Sequence, residues 1–162
     1  MNDFKVGDLV FHLRCGLCEI KDISPLKGNE GGPTYYILSP LYGDERGTLV
    51  FVPTAKPIFL RNLMSKEDAA SYVQSWPAMD EDHYISDSKK RKQSYEEALK
   101  KGDVYLMAPL LVGAMQRKQR DGHLNSMDAN FVSKAEPMVL GEISQALGMS
   151  YEKAGEMLIG SN

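Results

Sequence analysis

The chain is poor in the residues that build metal or thiol chemistry. Among 162 residues there are two cysteines, three histidines and one tryptophan. A tetrahedral zinc site takes about four ligands, and His83 and His123 lie in segments remote from Cys15 and Cys18, so no metal is expected. No apolar run approaches the ~18 residues needed to cross a bilayer, and the start, MNDFKVGD, has neither the basic residues nor the apolar stretch of a secretory signal. These absences point to a cytoplasmic protein without a membrane partner, where thiols stay reduced. The glycine cluster GNEGGP lacks the lysine and the following helix of a phosphate-cradling loop. Asp80, Glu81, Asp82 and His83 sit together in a polar stretch with nothing rigid to fix acid–base geometry. The expectation is a non-enzyme with no cofactor.

What is present is a strong asymmetry of charge inside a slightly acidic whole. Up to Met64 there are seven basic and seven acidic residues, and from Ser65 to Asp87 one against six. Between Ser88 and Arg120 the balance turns to nine against three, and it returns to two against six in the remainder. One middle block is therefore able to set up a local positive field on an otherwise neutral or acidic molecule.

Texture divides the chain in a similar way. DLVFH, LCEIKDI, TYYIL and TLVFVP are rich in β-branched and aromatic residues, and the turn clusters SPLKGNEGGP, YGDERG and TAKP separate or follow them. Four or five short strands at this spacing predict a small, strongly bent antiparallel barrel over residues 1–64. Ser65 and Asp68 then mark a helix start that Pro77 ends, and PAMDEDHYISD reads as a linker, so residues 65–87 form a helix and linker. Residues 88–162 read as helical. SKKRKQSYEEALKK stops at Gly102, Asp103 caps a pattern of Val104, Met107, Ala108, Leu111 and Met115, and Asn125 caps a stripe of Phe131, Ala135, Val139 and Ile143. Pro109 is expected to kink the first of these patterns or start it late, and Pro137 to interrupt the second. The methionines, from Met107 to Met157, are read as core filler. The fold class is α+β, a barrel followed by an all-α bundle.

Two stretches hold candidate sites. FHLRCGLCEI brings His12, Cys15 and Cys18 together at three-residue steps. A lone Cys-x-x-Cys with one histidine is a weak metal signal, and residues three apart on a strand face opposite ways. The stretch is read as a turn at Gly16, ahead of a metal or redox switch. The run Lys89, Lys90, Arg91, Lys92 is either a solvated helix face or a phosphate-binding surface. Arg117, Lys118 and Arg120 close the next helical pattern. If those two helices pack antiparallel about Gly102, both clusters meet at one end, where several neutralised phosphates would give salt-dependent nucleic-acid binding. Tyr95 is read as core.

FKVGDLV, a glycine turn, YYIL, TLVFVP and then LR before a helix resemble, in that order, the RNA-polymerase-interacting module of CarD-type bacterial regulators. A similar module occurs in the transcription-repair coupling factor. YEEALKKGDVYLMAPLLVGAMQRKQRDGHLNSMDANFV is similar to the CarD helical domain. The resemblance runs from Phe4 to about Leu147. It implies a Tudor-like or SH3-like barrel that docks on the RNA polymerase β subunit, and a helical domain that touches promoter DNA at the upstream edge of the melted region, tuning open-complex lifetime. By that analogy Thr48, Leu49, Val50, Phe51, Val52 and Pro53 form the polymerase-binding strand, and the two basic clusters are DNA-binding through phosphates. Phe51 stands where relatives often carry arginine, and Ser88 where they often carry the tryptophan proposed to wedge at the bubble edge. The sole tryptophan, Trp76, comes earlier. A stand-alone nucleic-acid-binding module is the alternative, and the neutral balance of the barrel segment argues against it. The oligomeric state is left open.

Overall fold

The computed structural model describes residues 3–160, as five strands followed by five helices. The strands are β1 (Leu9–His12), β2 (Gly16–Pro25), β3 (Thr34–Pro40), β4 (Val50–Pro53) and β5 (Leu60–Arg61). They form one antiparallel sheet in the order β4-β3-β2-β1-β5. Gly16 adopts φ 76°, which a side chain would strain, and so lets the chain reverse between β1 and β2. Along β2 the pairing shifts between Ile20 and Asp22, leaving Lys21 as an extra residue. Such a bulge bends and twists the strand, which curls the sheet around a core of Val10, Cys18, Ile20, Tyr36, Leu38 and Val52. This is the α+β, Tudor-like design expected from the sequence, with β4 and β5 as the two ends of an incompletely closed barrel.

The helices are α1 (Lys66–Gln74), α2 (Ser88–Lys101), α3 (Val104–Asp121), α4 (Ser126–Leu147) and α5 (Tyr151–Leu158). Each begins at a polar residue whose side chain accepts a main-chain N–H: Ser65, Asp87, Asp103, Asn125 and Ser150. The expected stripes are buried, from Val104 to Met115 on α3 and from Phe131 to Ile143 on α4. Neither proline breaks its helix: α3 runs through Pro109 and α4 through Pro137. A mid-helix proline costs about 3 kcal/mol. Both lie beside fully buried residues (Leu111 and Met107 on α3, Ala135 and Val139 on α4), whose burial outweighs that loss. Met157 is exposed, contrary to its reading as core filler.

The polar stretch before α2 has no helix or strand, yet it is tied down. Gln116 on α3 donates to the carbonyls of Met79 and Glu81 and accepts from the His83 N–H at 2.9 Å. Gly113 lets that segment approach closely, since a β-carbon there would sit 2.7 Å from the His83 carbonyl oxygen. The residues read as a linker therefore form a fixed strap across α3.

Barrel and bundle share a core. The pleat that turns Val10 into the barrel turns its neighbour Phe11 outward, and Phe11 is buried among residues of α1, α2, α3 and α4. Leu17 on β2 packs against Gly141 of α4, and Tyr42 approaches the same glycine from the loop before β4. Tyr42 also stacks on Tyr151 of α5, with ring centroids 4.5 Å apart.

Candidate functional site

Two surfaces carry the residues that the sequence nominated. The first lies at the seam between the sheet ends. In the β3–β4 ladder Thr54 donates to the Thr34 carbonyl, and Val52 stands opposite Tyr36. Antiparallel pairing alternates main-chain direction residue by residue. Val50 and Val52 thus turn their main-chain groups to β3, while Phe51 and Pro53 turn theirs to the free edge. Proline has no N–H, so this edge of β4 offers one donor, from Phe51, and the carbonyls of Phe51 and Pro53. Side chains alternate too. Val52 is 2% exposed and Val50 packs against the barrel core, whereas Phe51 is 46% exposed and Leu49 and Thr48 are open to solvent.

Phe51, Val52 and Pro53 line a groove of about 560 Å³ with Ile58, Phe59 and His12. Lys56 and Arg14 stand at its margin, and the Arg14 guanidinium lies 5.2 Å from the Phe59 ring centre. His12 is buried and stacks on Phe59, and its Nδ1 accepts the Arg14 N–H at 3.1 Å. Burial first, and then the Arg14 charge, push its pKa below the ordinary 6.5. It is a neutral wall of the groove. The six residues Thr48–Pro53 therefore divide. Thr48, Leu49, Phe51 and Pro53 are available to a partner, while Val50 and Val52 contribute support from within, because period-two pleating cannot expose consecutive residues on one face.

The cysteines of the opening turn have no further potential metal ligands gathered around them among the described residues. Cys18 lies inside the barrel and Cys15 is half-buried, and no cluster of metal-ligating residues occurs among the described residues. Burial pushes both thiols up, Cys15 to about 11 and Cys18 to about 12, with Glu45 adding to the first.

The second surface is at the start of α2 and the end of α3. Lys89, Lys90 and Lys92 are exposed in the first turns of α2, and Lys118 and Arg120 are exposed in the last turn of α3. Tyr84 shows that the two ends meet, for the guanidiniums of Arg91 and Arg117 lie 4.6 Å and 5.0 Å from its ring centre. Arg91 is not part of the surface. It is 5% exposed, its Nε donates to Asp128 at 2.9 Å, and its Nη1 donates to the carbonyl of Ile85 at 2.8 Å. Asp128, itself buried, also accepts from Tyr95 at 2.9 Å and Tyr84 at 2.7 Å. A guanidinium in the interior needs such partners, and this one pins the strap, α2 and α4 together. Tyr95 stacks on Phe131 in the core, 4.1 Å between centroids. Arg117 is half-committed, pairing with Asp121 and lying over Tyr84. The exposed charge is thus Lys89, Lys90, Lys92, Lys118 and Arg120, the last of them 3.9 Å from the Asp121 carboxylate.

The placement of the three lysines runs against the stability of α2, whereas Lys118 and Arg120 suit the C-terminal end of α3. The N-terminus of a helix carries a partial positive charge that disfavours lysine in the first turn. Asp87 offsets part of this by accepting the N–H groups of Lys89 and Lys90, both at 3.0 Å. The three lysines and the helix end add their fields in one place, a suitable setting for an anion.

Sequence reasoning missed one functional pair. Glu142 is fully buried in the apolar run MVLGEISQAL, receives both Arg61 nitrogens at 2.6 and 2.7 Å, and accepts the Met64 N–H at 2.8 Å. A lone carboxylate within an apolar stripe was the available signal, because an ionised group is buried only with partners.

These features define a class: an open Tudor-like barrel fused to a helical bundle, with an apolar edge on one and a basic corner on the other. A model described as the CarD-like/TRCF RID domain matches residues 4–64, and one described as the CarD C-terminal domain matches residues 78–159. The chain belongs to the CarD family, whose barrel is an RNA-polymerase-interacting type of module. No curated protein matches it.

Proposed function

We propose that this protein is a non-enzymatic regulator of transcription that bridges RNA polymerase and promoter DNA in the cytoplasm. The barrel adds its free β4 edge to the polymerase β subunit. The Phe51 N–H and the carbonyls of Phe51 and Pro53 supply main-chain hydrogen bonds, as in other strand additions. Phe51, Leu49 and Ile58 supply apolar anchors of the type that dominate interface energetics. Lys89, Lys90, Lys92, Lys118 and Arg120 hold phosphates without reading sequence. Binding both at once changes the lifetime of the open promoter complex.

One observation carries the reading. The molecule joins an unpaired apolar strand edge to a cluster of exposed cations, three of which stand at the start of α2, where they are unfavourable for that helix. Serine at position 88 offers no apolar wedge for a base step, so the DNA contact is electrostatic. A pulldown tests the division. Wild type retains both polymerase and promoter DNA, Phe51→Ala loses polymerase, and the triple replacement of Lys89, Lys90 and Lys92 by alanine loses only DNA. Loss of both by either variant would undo the two-surface division. Tight, salt-sensitive binding of DNA by the barrel would favour the stand-alone nucleic-acid module instead.

A further inference from the structure

Resting on that reading, we propose that Glu142 is a positioning residue that fixes the β4 edge and the basic corner at one distance and angle, making the molecule a rigid spacer between its partners. Glu142 sits on α4, the central helix of the bundle, and both its oxygens hold Arg61 at the end of β5. Arg61 pairs with Phe11 across β1 and β5, and its guanidinium lies 3.9 Å from the centre of the Phe11 ring. The main chain leaving the barrel is held as well, through the Met64 N–H. One carboxylate thus grips the last strand, the first strand through Arg61, and the exit from the barrel.

Three other contacts leave no slack around this grip. Gly102, at the turn from α2 to α3, lies so close to the Leu13 carbonyl that a β-carbon would overlap it. Gly16 meets Met138 at 3.3 Å from where its β-carbon would stand, and Gly141 meets Tyr42 at 2.9 Å. Gly102 brings main chain against main chain, Gly16 meets both the main chain and the side chain of Met138, and Gly141 receives the Tyr42 ring, so each glycine lets barrel and bundle close without a side chain of its own.

The physical consequence separates this from a tethered pair. Two sites on a flexible linker gain an effective concentration that depends only loosely on where the second target lies. Two sites on a rigid body gain it only where the targets match the spacing. Glu142 would then act on joint binding while touching neither partner.

The test uses the full chain in two measurements. Spin labels on non-natural residues at exposed positions 27, in the β2–β3 turn, and 96, on α2, report the barrel-to-bundle distance. Wild type is expected to give one narrow distribution, Glu142→Ala a broadened one, and Glu142→Gln, which keeps the volume and a hydrogen-bonding oxygen, an intermediate one. Binding is then compared for polymerase alone, promoter DNA alone and the assembled polymerase–promoter complex. Glu142→Ala should keep both separate affinities within twofold and lose tenfold or more of the advantage on the assembled complex. A merely structural role would lower melting temperature without this split. A distribution that stays narrow in Glu142→Ala, or an advantage that survives broadening, overturns the proposal. Gly102→Ala, which wedges a different contact, decides the same question if Glu142→Ala does not fold. Wild type failing to bind either partner would remove the two-surface reading, and the distance distributions would still decide the positioning claim.

Discussion

Replacing Arg91 by alanine leaves the buried Asp128 carboxylate without its cation. Two tyrosine hydroxyls remain, so the charge keeps some hydrogen bonds but no neutralising partner. Breaking a buried pair from one side typically costs 3–5 kcal/mol, and a loss of about 3 kcal/mol is expected here in denaturant unfolding. Lys90→Ala next door should change stability by less than about 0.5 kcal/mol, since exposed substitutions away from special features do little. The contrast between neighbours is the point. His12 makes a second residue-scale prediction. Its folded pKa lies below the ordinary 6.5, so the unfolded chain takes up the proton first as pH falls. Its share of stability is whole above that value and is lost progressively as pH drops through and below it. Urea titrations across pH 5–7 should show this slope, and His12→Gln should flatten it. With both thiols raised to about 11 and 12, Cys15 and Cys18 are neutral at pH 7. Both should alkylate far more slowly in the folded protein than in urea, with the fully buried Cys18 slowest.

At the scale of elements, the strands and helix starts were legible because their signals are local. Pleating alternation, a capping serine or asparagine, and a glycine after the last helical turn need only neighbours in sequence. Pro137 misled, as did the late start allowed for Pro109, because a proline's penalty is local while the compensation comes from other helices. KKRK misled for the same reason. Composition assigns four charges to one face, but a helix turns 100° per residue, so the third of them points into the bundle. The β4 edge was nominated as a whole segment, yet only the register with β3 shows that Phe51 faces out and Val52 in. Phe51→Ala should therefore weaken polymerase binding by about 2 kcal/mol, a hot-spot magnitude, with little change in melting temperature. Removing Lys89, Lys90 and Lys92 should make the slope of log affinity against log salt shallower by about 0.9 for each phosphate left unneutralised. The same change should stabilise α2 slightly, since cations leave the positive end of its dipole.

At the scale of the molecule, what the sequence could not disclose was the fusion of its two halves. Composition and texture divide the chain near residue 64, and that division is real for secondary structure. Packing ignores it, because Phe11 completes the helical core and Arg61 neutralises a helical carboxylate. Such contacts link residues about eighty positions apart, and no local pattern encodes them. Unfolding should accordingly be a single transition, with far-ultraviolet circular dichroism and Trp76 fluorescence giving the same midpoint. Two separated midpoints would show barrel and bundle melting independently.

The stacked pair Tyr42 and Tyr151 joins the final helix to the stretch of chain that feeds β4. Trimming the protein back to Met149 would pull a supporting ring from under the Leu41–Leu49 loop, although nothing in the barrel had been altered. The strand edge proposed to meet polymerase would lose its footing through a contact made more than a hundred residues away in the chain.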